Sequence, residues 1–334
     1  MKKSLIALAV AGVVSAPAFA ATANVDVYGV MNAAVSYVDD QPAAINDIQF
    51  STFGSRIGFK GAEDLGGGLK AIWQIESSVN FEEQSGSLAG RNSFVGLSGG
   101  FGTALIGNHD TPLKMVGRAV DLFGDTIGDS RNVMGGGSDL RAKNVVAYIT
   151  PDMGGFGIVA AYSTDLGTSG SAGDADNSGV YNLNATYKNG PLFLGLGYGD
   201  GDGHEALGLG AHVRAAAGFT MGALKFVGQY DMLEDDTAAG YDYDAWMAGV
   251  AYSMGAITLK ANYMEGEWDN SSFDRDQFNI GADYAMSKRT KLYAVYTDGQ
   301  NVKLGGGAGS SDQISSGVAG GDVKGLSLGM VHTF

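Results

Sequence analysis

Residues 25–37, VDVYGVMNAAVSY, alternate with a period of two: Val25, Val27, Gly29, Met31, Ala33, Val35 and Tyr37 form one face, and Asp26, Tyr28, Val30, Asn32, Ala34 and Ser36 form the other. Alternation sustained over about ten residues is a strand with one apolar and one polar face. The pattern recurs along the chain. Tyr181, Leu183, Ala185 and Tyr187 alternate with Asn182, Asn184, Thr186 and Lys188; Phe278, Ile280, Ala282, Tyr284 and Met286 alternate with Gln277, Asn279, Gly281 and Asp283. At the end, Leu326, Leu328, Met330 and Phe334 stand against Gly325, Ser327, Gly329 and Thr333. No stretch after residue 20 approaches the ~18 consecutive apolar residues of a membrane-spanning helix.

A soluble sandwich and a membrane barrel both produce such strands, and two features favour the barrel. Short turns at 98–102, 151–155, 189–190, 254–255 and 287–290 alternate with longer polar segments, as in barrels with tight turns at one rim and long loops at the other. Aromatic residues also sit near strand ends: Tyr148, Tyr162, Tyr187, Tyr198, Tyr230, Trp246, Tyr252, Tyr263, Tyr284 and Tyr296. Amphipathic rings at those depths form the two interfacial girdles of a membrane barrel. The alternating segments number about sixteen, at 24–38, 53–60, 69–79, 91–98, 102–108, 141–150, 156–163, 179–188, 191–199, 206–219, 223–232, 243–253, 256–265, 275–286, 290–298 and 323–334. The expected fold is therefore all-β, an antiparallel transmembrane barrel. In lipid such a sheet must close, because an open edge leaves backbone groups unpaired.

The ends and the composition place the chain in a compartment. Met1-Lys2-Lys3, the apolar run LIALAVAGVV at 5–14 and the small residues around Ala18-Phe19-Ala20 read as a secretory signal peptide over 1–20, leaving 21–334 as the barrel domain. The chain has no cysteine, so neither disulfides nor thiolate metal sites stabilise it. Its net charge is −15, two units more negative once Lys2 and Lys3 are removed, and it has no basic cluster. Nucleic acid is thereby excluded as a partner. The four histidines, His109, His204, His212 and His332, are scattered, and no H-E-x-x-H, G-x-S-x-G or phosphate-loop pattern occurs. No catalytic residue, cofactor or metal site is expected. The run Asp200-Gly201-Asp202-Gly203-His204-Glu205 carries close oxygen donors but lacks the twelve-residue calcium-loop pattern.

The segment Ser55-Arg56-Ile57-Gly58-Phe59-Lys60-Gly61-Ala62-Glu63-Asp64-Leu65-Gly66-Gly67-Gly68-Leu69-Lys70-Ala71 resembles the second strand, tight turn and third strand of the Gram-negative general porins. Val27-Tyr28-Gly29-Val30, Arg91-Asn92-Ser93-Phe94-Val95-Gly96-Leu97, Asn144-Val145-Val146-Ala147-Tyr148 with Pro151, and the terminal Gly329-Met330-Val331-His332-Thr333-Phe334 are similar to further strands of that family. The resemblance covers the mature chain. It implies a homotrimer of sixteen-stranded barrels in the outer membrane, in contact with its lipid and lipopolysaccharide, with the third long loop folded into each lumen. It also implies passive diffusion of ions and small hydrophilic solutes, and a terminal Phe334 read by the barrel-assembly machinery.

The longest segment between strands in the first half, 109–140, is the candidate constriction loop, with Asp110, Asp121, Asp125, Asp129 and Asp139 against Lys114, Arg118 and Arg131. On the wall, parity places Arg56, Lys60, Lys70, Arg91, Arg141 and Lys143 opposite Ile57/Phe59, Phe94 and Val146/Tyr148, hence in the lumen. Arg56, Arg91 and Arg141 match the family's cluster of wall arginines. Opposed rows of charge across a narrow aqueous gap would set up a transverse field; equally, the arginines could serve only to pair with the loop and fix its fold. Lys225, Lys260, Lys291, His212 and Arg214 read as ordinary wetted wall. Acidic clusters, among them Asp174/Asp176, Asp235/Asp236 and Glu265/Glu267, mark the long loops. The acidity of chain and loop suggests a weak cation preference, and the arginine ladder the alternative of an anion-attracting, substrate-preferring constriction. Two other readings compete: a barrel hydrolase, which needs a nucleophile beside a histidine, and an exported soluble sandwich or adhesin.

Overall fold

In the computed structural model, which describes residues 24–40, 45–135, 139–165, 179–201, 210–234, 242–269, 274–305 and 321–334, the strands form one closed antiparallel sheet. The proposed signal peptide, most of the Asp200–Glu205 run and the acids Asp174, Asp176, Asp235 and Asp236 lie outside the described residues. The strands are β1 (Asn24–Asp40), β2 (Ile45–Ser51), β3 (Arg56–Gly66), β4 (Leu69–Asn80), β5 (Ser85–Ser87), β6 (Ser93–Gly99), β7 (Gly102–Asp110), β8 (Arg141–Ile149) and β9 (Phe156–Asp165). They continue with β10 (Val180–Asn189), β11 (Leu192–Asp200), β12 (His212–Met221), β13 (Leu224–Leu233), β14 (Tyr243–Met254), β15 (Ile257–Trp268), β16 (Arg275–Ala285), β17 (Thr290–Gln300) and β18 (Asp322–Thr333).

These eighteen strands make sixteen staves. β2 pairs with the loop-ward half of β1 (Ala34↔Ser51 to Asp40↔Ile45) and β3 with the other half (Asn24↔Ala62 to Val30↔Arg56), so the two form one stave broken at 52–55. β5 and β6 likewise share the length of β4. β1 also pairs with β18, from Val30↔Thr333 to Asp40↔Val323, which closes the barrel. At the seam, Gly29 N donates to Phe334 O and Phe334 N to Gly29 O, both at 3.1 Å. The Phe334 ring occupies the space where a Cβ on Gly29 would lie.

The two-residue period sorts the faces as the sequence suggests. Val25, Val27, Val35, Tyr181, Leu183, Ile280, Leu326 and Leu328 are exposed on the outer wall, whereas Asn32, Ser36, Asn182, Asn184, Gln277, Asn279 and Ser327 are buried within. An outer wall of apolar side chains is what lipid requires. Nine of the ten aromatics assigned to the girdles, all but Tyr187, are exposed on that wall, and Tyr162–Tyr181 and Trp246–Tyr263 pack across strands at 5.0 and 5.5 Å. The β3–β4 turn takes Gly66, Gly67 and Gly68 through φ of +85°, +62° and +81°, a left-handed path that a side chain would oppose.

A charged constriction inside the barrel

Residues 111–135 and 139–140 lie within the barrel, and the sequence shows how they can. Thr111-Pro112 opens a seven-residue helix, α1 (Pro112–Arg118): the Thr111 hydroxyl accepts from Lys114 N at 3.3 Å, and proline occupies the first turn. One side of the segment is apolar. Val116, Val120, Phe123, Ile127, Val133 and Met134 pack on Ala216, Val227, Ala245, Met247, Met264, Val295 and Val38 of the inner wall. A loop buried this way needs partners for its backbone carbonyls, and the wall supplies donors. Asn184 Nδ2 binds Pro112 O (2.8 Å), Lys260 Nζ Leu122 O (3.0 Å), Asn32 Nδ2 Asp125 O (2.7 Å), Asn279 Nδ2 Gly128 O (3.1 Å) and the Tyr243 hydroxyl Val133 O (2.6 Å).

The other side of the segment is charged and faces the early strands. On the wall, Arg91 Nε lies 2.6 Å from Glu76 Oε1, the Tyr28 hydroxyl donates to Glu76 Oε2 at 2.9 Å, and Arg56 Nε stands 4.0 Å from the same oxygen. Arg141 donates to Asn92 Oδ1 (2.9 Å) and lies 3.0 Å from Asp110, which Lys114 meets at 3.1 Å. On the loop, Arg118 contacts Asp125 (2.9 Å) and Asp129 (3.2 Å), and Arg131 grips Asp129 with two bonds of 2.8 Å. The two sides meet where Arg56 Nη1 is 3.8 Å from Asp125. The five arginine side chains keep 19% to 32% exposure, so water reaches them, while Asp129 is fully enclosed.

This arrangement differs from an acidic loop facing a basic wall. Arg118 and Arg131 pair with Asp125 and Asp129 at the loop edge; Lys114 and Arg141 share Asp110; Arg56 and Arg91 share Glu76 on the wall. Asp121 is occupied within the loop, accepting from Phe123 N (2.8 Å) and from Ser130 N and Oγ (3.2 and 3.0 Å). Burial, reinforced by the charge of Asp129, pushes its carboxyl up to about 6. Burial would raise Asp129 too, but Arg131 and Arg118 outweigh it and hold that carboxyl well below the usual range. Asp139 is turned away from the cluster, bound to Arg214.

Of the basic residues read from parity, Arg56, Arg91 and Arg141 come together and the lysines do not. Lys60 stacks over Tyr28 at 5.2 Å and, with Lys70, Asp26, Asp64 and Gln74, lines a concavity on the short-turn side. Lys143 is exposed in a bulge between Gly107/His109 and Ala142/Val145, next to Asn144 at φ +51°. Parity also misplaces Phe94: Val95 and Leu97 are the exposed residues of β6, and Phe94 pairs with Gln74 and packs near His109. Arg91 reaches the lumen because it precedes the strand. His212, Arg214 and Lys260 are not wetted wall but buried, the last two beneath the loop, where they bind Leu113 O and Leu122 O. Glu76, Tyr28 and Asn92 were missed; Glu76 is the one acid on the inner face of β4, visible once β4 is registered on β3 with Glu76 opposite Gly58. Among the described residues, no group of three His, Asp or Glu side chains is placed to hold a metal ion.

A closed barrel with an apolar belt outside and a charged, water-accessible gap between wall and inserted loop defines an outer-membrane channel. The comparisons agree. The family model for Gram-negative porins matches residues 7–332. The chain is 31% identical to outer membrane porin protein 32 of Delftia acidovorans over the whole of both chains, and 32% identical to the major outer membrane protein P.IB of Neisseria meningitidis serogroup B over 87% of this chain and 91% of that one. The solved anion-selective porin from Comamonas acidovorans superposes with a TM-score of 0.75 at 27% identity, covering 93% of this chain and all of the other. The protein belongs to the Gram-negative porin family and is an outer-membrane porin channel.

Proposed function

We propose that this porin passes small hydrophilic solutes by passive diffusion and prefers anions at its constriction. The observation that carries this reading is the surplus of bases over acids there: Arg56, Arg91, Arg141, Lys114, Arg118 and Arg131 against Glu76, Asp110, Asp121, Asp125 and Asp129. The net acidity of the chain argues for cations, but charge at the narrowest, least screened point outweighs charge at a wide mouth. The likeness to a porin described as anion-selective supports the same choice. Zero-current potentials across a bilayer in a salt gradient test it; a cation-selective potential overturns it. The export signal over 1–20, the assembly role of Phe334 and contact with lipopolysaccharide belong to the same reading. So does the homotrimer, which would cover Phe81 and Leu88, apolar and exposed just past the ends of β4 and β5.

A further inference from the structure

Arg214, on β12, is fully buried on the wall opposite the charged gap, and the contacts of its guanidinium divide in two. Nε and Nη2 bind the two oxygens of its cross-strand partner Asp231 at 2.6 and 2.9 Å, and Gln229 donates to the same carboxylate at 3.2 Å. Nη1 reaches both stems of the constriction loop, donating to Leu113 O at 3.3 Å and to Asp139 Oδ1 at 2.5 Å. The loop is shaped to this group. A Cβ on Gly117 would lie 2.6 Å from Nη1, and one on Gly135, already at φ +82°, would lie 2.7 Å from Nη2. One side chain thus ties the beginning and the end of the loop to a rigid strand pair, in a slot that two glycines leave open.

We propose that Arg214 is the positioning residue of the pore: by clamping both loop stems from behind, it fixes where the loop edge stands relative to Arg56, Arg91 and Arg141, and so sets conductance and selectivity without touching solute. Asp139 is then part of the clamp. A bidentate, buried arginine suits this task because its planar fork fixes direction as well as distance. The inference rests on the channel reading above.

The test compares Arg214→Met and Asp139→Ala with the wild type in planar bilayers, alongside heat-dependent gel mobility to confirm that each barrel is assembled. Arg214→Met leaves Asp231 buried without its cation, so it can fail to fold; Asp139→Ala leaves Arg214 and Asp231 as a neutral pair and tests the clamp alone. Assembled variants are expected to show single-channel conductance raised about 1.5-fold or more, broadened open levels and a weaker charge preference, as a loop freed from the wall widens the gap. Arg214→Lys, which keeps the charge but not the fork, is expected to restore only part of the wild-type behaviour. Unaltered conductance and selectivity in assembled Asp139→Ala overturns the clamp, whereas absence of conductance in the wild type overturns the channel reading instead.

Discussion

Arg91 and Glu76 meet at 2.6 Å, and Glu76 is also the acceptor for Tyr28 and lies 4.0 Å from Arg56, so this carboxylate tempers two guanidinium groups at once. Removing one wall charge about 7 Å from a permeating ion in water-like dielectric changes its energy by ~0.6 kcal/mol, or about threefold in permeability. Arg56→Ala, Arg91→Ala and Arg141→Ala are each expected to reduce anion preference by about that factor, and Glu76→Gln to increase it, read as reversal potentials. Asp121 gives the constriction a pH dependence. Its carboxyl is raised to about 6, so acidification from pH 7 to 5 removes a negative charge beside Arg118 and is expected to strengthen anion preference; Asp121→Asn should abolish that part of the response. Because the folded form binds this proton more tightly than the unfolded chain, the contribution of Asp121 to stability is present at low pH and falls as pH rises through about 6. Asp129, held low, acts oppositely and loses its contribution only in stronger acid. Arg56 was legible in the sequence because β3 is regular from Arg56 onward. Arg91 and Arg141 come from strand edges where bends and a bulge break the period, which is why parity misplaces Phe94 beside them.

At the scale of the element, the constriction loop is held by its environment. Its apolar face docks on the wall and its carbonyls find wall donors, yet from sequence Asn32, Asn184, Lys260 and Asn279 look the same whether they meet water or a loop. That is why the anchors escaped notice; composition likewise records Asp125 and Asp129 but not their pairing with Arg118 and Arg131. The broken β2/β3 stave has a matching cause. At Gly54, φ +62°, the wall leaves space for the Asp125 carboxylate, which a Cβ would approach to 2.7 Å. Gly54→Ala is expected to displace Asp125 and raise conductance while the barrel still assembles, checked by single-channel recording and gel mobility. A left-handed non-glycine residue there also costs about 1 kcal/mol or more.

For the whole molecule, glycine and charge are distributed by the bilayer. Alternation, short turns and aromatic girdles are imposed by lipid on every stave, so about sixteen strands could be read from residue types alone; the 45–51 half of a broken stave was missed because loop contact, not lipid, decides its ends. Leu88 lies just past the end of β5 and is exposed. Leu88→Asp is expected to weaken the trimer, seen as dissociation at lower temperature on gels, with the monomer fold retained. The charge surplus at the constriction is tested most directly by the zero-current potential of the reconstituted wild-type protein across a KCl gradient at neutral pH. The expected sign is that of a channel more permeable to chloride than to potassium; a stable potential of the opposite sign would contradict an anion-preferring constriction.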